Sequence, residues 1–161
     1  MRRAQLILTL AVLLAGAAAQ QRGNRASFVT VEPLPRIELG KGKASSTLEI
    51  RMRVNKGFHI NSNKPTSDLL IPTEIKFLPA AGITIGKIKY PNGHDYNLAI
   101  APQEKLSVYT DMVAVSVSLS SAKGAKPGAR KVHGTLTYQA CDDNSCYPPK
   151  TVPLDLEVLL R

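Results

Sequence analysis

Period-two alternation of apolar and polar residues recurs along most of this 161-residue chain, and it excludes most architectures before composition is considered. In 48-LEIRMRV-54, Leu48, Ile50, Met52 and Val54 alternate with Glu49, Arg51 and Arg53. One face of an extended segment is then apolar and the other charged, which is the pattern of a half-buried strand. Ile75 and Phe77 repeat it over a shorter run, and 83-ITIGKIKYP-91 is β-rich with a bulge expected at Gly86. In 112-MVAVSVSLS-120, Val113, Val115, Val117 and Leu119 share a face. Val132, Gly134, Leu136, Tyr138 and Ala140 share another, as do Val152, Leu154, Leu156 and Val158.

Turn signals punctuate these runs: Gly40-Lys41-Gly42, Asn63-Lys64-Pro65, Pro79-Ala80-Ala81-Gly82, Pro91-Asn92-Gly93 and the stretch from Lys123 to Gly128. No segment beyond the first twenty residues carries a sustained 3.6-residue stripe. Short strands at this spacing predict an all-β fold, an immunoglobulin-like antiparallel β-sandwich of about 7–9 strands. The buried tryptophan of antibody domains cannot be part of it, because the chain has none.

The first twenty residues read differently. Arg2 and Arg3 precede the apolar run 4-AQLILTLAVLL-14, and Ala17-Ala18-Ala19 supplies a small-residue cleavage pattern, so residues 1–19 read as a signal peptide cut after Ala19. A membrane anchor would need an apolar run of about 20 residues, and no cysteine follows the run to carry a lipid. Residues 20–30 read as a flexible lead-in and 31–161 as one β-sandwich domain. An exported chain, periplasmic or secreted, sits where disulfides form and persist. No second long apolar run follows, so no membrane span is expected after cleavage. Losing Arg2 and Arg3 lowers the formal charge from +9 to +7. The remaining Lys and Arg are scattered and aromatics are sparse, which speaks against a nucleic-acid partner.

One segment resists the strand reading. From Gly93 to Lys105, GHDYNLAIAPQEK shows no clear alternation and is long for a simple connection, so it is expected as an irregular, functional loop.

Cys141 and Cys146 are the only cysteines. Cys141 ends one predicted strand and Cys146 begins the next, which sets the pair at the mouth of a hairpin. A structural staple and an exchangeable disulfide are both consistent with C-x4-C. Closing so short a ring contributes only about 2 kcal/mol of loop entropy, against about 4.7 for a ring of about 100 residues. A staple therefore adds little to a hairpin already paired. Zinc would need further ligands, and His59, His94 and His133 show no such spacing. Copper would call on Met52 and Met112, both of which fall on predicted strands, where core packing is the expected role. Asp142 and Asp143 disfavour a neighbouring thiolate. A disulfide attacked by another protein's thiolate fits better than a self-activated nucleophile. Tyr138, Tyr147 and Pro148-Pro149 would give that partner an aromatic, stiff surface.

Tyr138-Gln139-Ala140-Cys141, then Cys146-Tyr147-Pro148-Pro149 and Thr151-Val152-Pro153-Leu154, resemble the N-terminal periplasmic domain of the thiol:disulfide interchange protein DsbD. The stretches 56-KGFHINSNKP-65 and 108-VYTDMVAVSV-117 are similar to that family as well, and the resemblance spans residues 28–161. It implies an immunoglobulin-like fold and a cysteine pair that cycles between dithiol and disulfide in a protein-disulfide reductase system. Cys146 would form the mixed disulfide with partners and Cys141 would resolve it. Residues matching His59 to Asn61 would line the site, and the 93–105 loop, with Tyr96, Leu98 and Ile100, would cap it.

The sequence departs from the family in three ways. One residue fewer separates the cysteines. Ile100-Ala101-Pro102 stands where the family cap carries an aromatic. His59 and Asn61 replace site-lining aromatics; His59 either supplies a proton near neutral pH or stands solvated at a strand end.

The resemblance further implies a thioredoxin-like protein or domain and a separate transmembrane reductase as electron donor, with exported oxidoreductases as acceptors. No cofactor is required, since the sulfurs carry both electrons. The alternative is a non-enzymatic binding or scaffold domain whose disulfide is structural.

Overall fold

The computed structural model describes residues 27–40, 45–98 and 101–161; the expected signal peptide and most of the lead-in lie outside the described residues. The described residues form twelve strands: β1 (Val29–Val31), β2 (Ile37–Leu39), β3 (Ser46–Val54), β4 (His59–Asn61), β5 (Glu74–Phe77), β6 (Ile83–Lys89), β7 (His94–Leu98), β8 (Ala101–Tyr109), β9 (Met112–Ser121), β10 (Gly128–Tyr138), β11 (Ala140–Cys141) and β12 (Lys150–Leu160). None of the described residues forms a helix long and apolar enough to cross a membrane.

Three four-stranded sheets result, in the orders β1-β3-β9-β6, β2-β12-β10-β5 and β11-β4-β8-β7. The first two carry the alternating faces read from the sequence. Leu48, Ile50, Met52 and Val54 of β3 and Val113, Val115, Val117 and Leu119 of β9 are buried in one apolar core. They share it with Val132, Leu136 and Tyr138 of β10 and Leu154, Leu156 and Val158 of β12. Each apolar face is removed from water by the opposite sheet, and this burial is the main stabilisation of a sandwich. The chain is thus an immunoglobulin-like β-sandwich, all-β as the alternation requires.

Three details differ from expectation. The strand count exceeds seven to nine because six of the strands are only two to five residues long, too short to display an alternation. One pairing is parallel: β2 lies along β12 with Val158 opposite Ile37. The polar lead-in ends before Phe28, since Phe28 and Val29 are buried and β1 pairs with β3 from Val29 opposite Val54. The bulge at Gly86 is present as a register shift between Ile85 and Ile88 against β9.

The third sheet sits where strands of both main sheets run on past the sandwich. After β3 the chain turns at Asn55–Phe58, where the Phe58 N–H donates to the Asn55 carbonyl at 3.1 Å. Gly57 occupies the turn with φ +84°, a conformation glycine adopts without steric cost. The chain then enters β4. β8 leads through Tyr109 into β9, and β10 leads through Gln139 into β11. The segment expected as an irregular loop is mostly a β7–β8 hairpin, paired from His94↔Val108 to Asn97↔Lys105. Most of its described side chains around the tip are exposed on both faces, so no apolar alternation marks it in the sequence.

Gly134 on β10 lies opposite Phe77 of β5, and a Cβ there would meet the Lys76 carbonyl oxygen at 2.6 Å and the Phe77 ring at 2.6 Å. Gly134→Ala is therefore expected to lower unfolding stability by about 1–3 kcal/mol through overpacking. Urea titration followed by circular dichroism checks this, with the midpoint falling at an unchanged slope.

Candidate functional site

β10 holds its place in the second sheet as far as Tyr138, which pairs with Lys150. One residue later the chain changes sheets: Ala140 and Cys141 pair with Ile60 and His59 of β4. The chain then turns back on itself. Asp142 N–H donates to the Ser145 carbonyl at 2.9 Å, and Tyr147 N–H donates to the Ala140 carbonyl at 2.8 Å. Cys141 and Cys146 therefore face each other across an isolated antiparallel bridge. They are joined by a disulfide, with Cα atoms 4.0 Å apart. Cys146 does not begin the next strand, as the sequence had suggested; that strand opens four residues later at Lys150. The two cysteines differ in access, since Cys141 is 0 % exposed whereas Cys146 is exposed.

The turn between them is held by its own side chains. Asp142 Oδ1 accepts the N–H groups of Asn144 and Ser145, both at 2.8 Å, and Oδ2 accepts the Tyr147 hydroxyl at 2.6 Å. The Tyr147 hydrogen bond and these two N–H groups hold the Asp142 carboxyl below the usual carboxylate range, and the same bond raises the Tyr147 phenol. Tyr147 also joins Phe28 and Phe58, with ring centroids 4.6 Å and 5.9 Å away. The Lys150 ammonium lies 4.4 Å from the centre of the Phe28 ring, within cation–π range. The segment after Cys146 is thus fastened to the edge of the core, while Pro148 and Pro149 are exposed.

His59 stands directly opposite Cys141, so both side chains project from the same face of the third sheet. It is 1 % exposed, and its Nε2 has no hydrogen-bond partner. It is a buried imidazole and not a solvated strand-end residue. The Tyr96 ring from β7 lies over it with centroids 4.2 Å apart, and the Tyr96 hydroxyl donates to the Asp143 carboxylate in the turn between the cysteines. Burial pushes the His59 pKa down; Asp143 and Asp142 oppose that shift and His94 adds to it. The Asp143 bond, with burial, pushes the Tyr96 phenol up.

Asn61, the next inward residue of β4, is buried and donates through Nδ2 to the Ile71 carbonyl at 3.0 Å and to Gln139 Oε1 at 3.2 Å. Gln139 Oε1 also accepts the Ile71 N–H at 3.2 Å, and its Nε2 donates to the Tyr147 carbonyl at 3.3 Å.

The fold therefore gathers Cys141, Cys146, His59, Tyr96 and Tyr147 into one site, with Asn61 beside it. Tyr138 does not join them: at 1 % exposure it is core, and it offers no surface to a partner. Its place on the alternating β10 face already marked it as inward. Leu98 closes β7, and Ile100 lies outside the described residues. The hairpin aromatic that lies against the site is Tyr96. Met52 is core as expected, but Met112 is exposed. Gln139, Asp142 and Asp143 carry site geometry that spacing does not reveal. The one hint is their place inside the Tyr-Gln-x-Cys…Cys block.

The family model described as thiol:disulfide interchange protein DsbD, N-terminal, matches residues 25–157. The crystal structure of the Neisseria meningitidis DsbD N-terminal domain in the reduced form is similar at 21% identity, over 70% of this chain and 77% of that one, with a TM-score of 0.44. A structure of the complex between the DsbD N-terminal and PilB N-terminal domains from Neisseria meningitidis is similar at 21% identity, over 78% and 80%, with a TM-score of 0.44. A family 123 glycoside hydrolase from Clostridium perfringens is similar at 10% identity, over 84% of this chain and 27% of that one, with a TM-score of 0.45. No curated protein matches the chain.

His59 also makes a statement about stability. An imidazole with a lowered folded pKa takes up its proton more readily in the unfolded chain, so its contribution is present above the unfolded value of about 6.5 and is lost as pH falls below it. Wild-type unfolding stability is expected to decline between pH 7 and pH 5. In His59→Phe, which keeps a ring beneath Tyr96, the decline over that window is expected to be shallower. Urea unfolding at a series of pH values measures the difference.

Proposed function

This chain belongs to the family of the N-terminal domain of thiol:disulfide interchange protein DsbD, and from that membership we propose that it is an exported thiol:disulfide exchange module working through Cys141 and Cys146. The observation that carries this reading is the unequal burial of the two sulfurs' residues, with Cys146 exposed and Cys141 enclosed. A nucleophile attacks the sulfur it can reach.

In the accepting half-reaction, the thiolate of a reduced thioredoxin-like donor attacks Cys146 Sγ. The Cys141–Cys146 bond breaks, and Cys141 leaves as thiolate. The donor's second thiol then attacks its own sulfur in the mixed disulfide, leaving both cysteines reduced and the donor oxidised. In the donating half-reaction the Cys146 thiolate attacks an acceptor disulfide. Cys141 then closes on Cys146, and the acceptor leaves with two electrons. A transmembrane reductase stands behind the donor, and exported oxidoreductases are the acceptors. Residues 1–19 direct export to the periplasm or beyond.

The β7–β8 hairpin takes the role of a cover. Tyr96 lies on His59 and is tied to Asp143, so the Cys141 side is closed while Cys146 stays open to a partner. On this reading Tyr96→Ala reacts faster with glutathione than wild type does, as measured by the rate of disulfide opening; an unchanged rate would remove the hairpin from the mechanism.

The deciding experiment is the reduction potential of the pair, titrated against glutathione or dithiothreitol with thiol counting on exported protein, whose mass should begin at Gln20. A value between about −180 and −270 mV, the range of working exchange proteins, is expected. Cys141→Ala is then expected to accumulate a mixed disulfide through Cys146 with thioredoxin-like partners, and Cys146→Ala to accumulate none. A value well below about −300 mV would make the bridge a staple in a binding domain.

A further inference from the structure

The exchange reading leaves the Cys141 proton without an acceptor. Cys141 is enclosed, so water has little access to the proton that must leave before Cys141 can attack. We propose that His59 takes that proton: the imidazole is the base that turns the Cys141 thiol into the thiolate that closes the disulfide. This rests on the exchange function proposed above and assigns a residue to one of its steps.

Three observations support it. His59 is the direct cross-strand partner of Cys141, which puts the ring on the same face as the sulfur. Its Nε2 is buried with no hydrogen-bond partner while the disulfide is closed, and a buried polar nitrogen left in that state calls for a reason. The dithiol form supplies one, because Cys141 then carries an S–H on the same sheet face as the unpartnered imidazole. The third observation is that nearby carboxylates are engaged elsewhere. Asp142 accepts from Asn144, Ser145 and Tyr147, and Asp143 accepts from Tyr96. Asn61 Oδ1 is also buried and unpartnered, but an amide is not a base in this range.

The groups facing the ring make the transfer reversible. Asp142 and Asp143, from the turn between the cysteines, favour the imidazolium; His94, from β7, and burial oppose it. Tyr96 covers the ring from β7. The imidazole is therefore neutral at rest, free to accept, and its cation has carboxylates near it for the life of the step.

The step balances as follows. In the mixed disulfide, Cys146 Sγ is bonded to the partner's sulfur. The Cys141 proton moves to His59, and the Cys141 thiolate attacks Cys146 Sγ. The Cys141–Cys146 bond forms, the Cys146–partner bond breaks, and the partner leaves as thiolate with the electron pair. In the opening direction the ring first takes up the proton released when the partner's thiol ionises; Cys141 then leaves as thiolate and is protonated by that imidazolium.

The test uses the Cys146–glutathione mixed disulfide, formed from the reduced protein with oxidised glutathione. Release of glutathione on closure is followed by stopped flow between pH 5 and pH 9. Wild-type closure is expected to slow as His59 gains its proton, with a midpoint matching the His59 ring titration read by NMR in the same protein. His59→Gln is expected to close about 10²-fold more slowly at pH 7, the lower range of general base effects. Its profile should rise only toward the ordinary thiol value of about 8.5. A variant that merely loosened the site would not exchange one midpoint for the other.

Wild-type rates and pH profile retained in folded His59→Gln would overturn the assignment and leave the exchange reading standing. Should that variant not fold, His59→Phe and the wild-type match between kinetic and NMR midpoints decide the matter, a mismatch overturning it. Failure of the reduced pair to form a mixed disulfide with glutathione at all would overturn both readings.

Discussion

The backbone of β10 cannot belong to two sheets at once, and the site follows from how the chain meets that constraint at Gln139. Up to Tyr138 the strand's hydrogen bonds go to β12 and β5; from Ala140 they go to β4. A strand that leaves its sheet inside a folded domain exposes unpaired donors and acceptors unless something nearby takes them. Gln139 does much of this. Its carbonyl accepts the Asn61 N–H at 3.3 Å, while its side chain serves Asn61, Ile71 and Tyr147. One residue thereby locks β4, the loop before β5 and the segment after Cys146 into one arrangement. Without that crossing the two cysteines would sit in a plain β10–β12 connection with nothing packed behind them.

With the crossing in place, the disulfide acquires two different sides. Cys141 is buried where β11 pairs with β4, whose His59 lies under the ring of Tyr96; Cys146 is exposed, beside exposed prolines and the end of a short turn. The acids beside the cysteines also take on a meaning that their charge alone does not suggest. Read as charges, Asp142 and Asp143 simply oppose a thiolate. Read with their partners, Asp142 closes the turn and Asp143 anchors the hairpin. Their electrostatic effect remains, but it falls on His59, where it favours the cation.

Much of the sandwich was legible because burial writes itself into period-two patterns. Val113, Val115, Val117 and Leu119 could be assigned to the core from spacing alone, as could Leu154, Leu156 and Val158. What could not be read is structure that lacks an apolar face. Most of the described side chains of the β7–β8 hairpin near its tip are exposed, so His94–Leu98 looked like a loop. β4 is buried on every residue, so His59-Ile60-Asn61 showed no alternation either. The break at Gln139 was invisible for the opposite reason: Leu136, Tyr138 and Ala140 keep one alternating face across the change of sheet. The cysteines announced themselves by type, whereas the groups that shape their surroundings are ordinary polar residues whose roles exist only once the third sheet has formed.

His59 and Asn61, which stand where the family resemblance implies site-lining aromatics, read differently once Tyr96 is placed. An aromatic surface against the disulfide excludes water and restricts access, but a ring without a nitrogen supplies no base near neutral pH. Here the hairpin supplies an aromatic ring and the strand an imidazole beneath it, so on the proposed reading cover and proton acceptor are separate residues stacked at 4.2 Å. The arrangement couples them. Tyr96 lies on His59 while its hydroxyl holds Asp143, and Asp143 sits in the turn that joins the two cysteines. A partner that docks at Cys146 and displaces that turn would therefore loosen the Tyr96 anchor. Water would reach the imidazole, burial would count for less, and the carboxylates near the ring would shift as well. On the proposed exchange reading the basicity of His59 would then depend on whether a partner is bound, because the same short turn holds Cys146 and the anchor of the ring above His59.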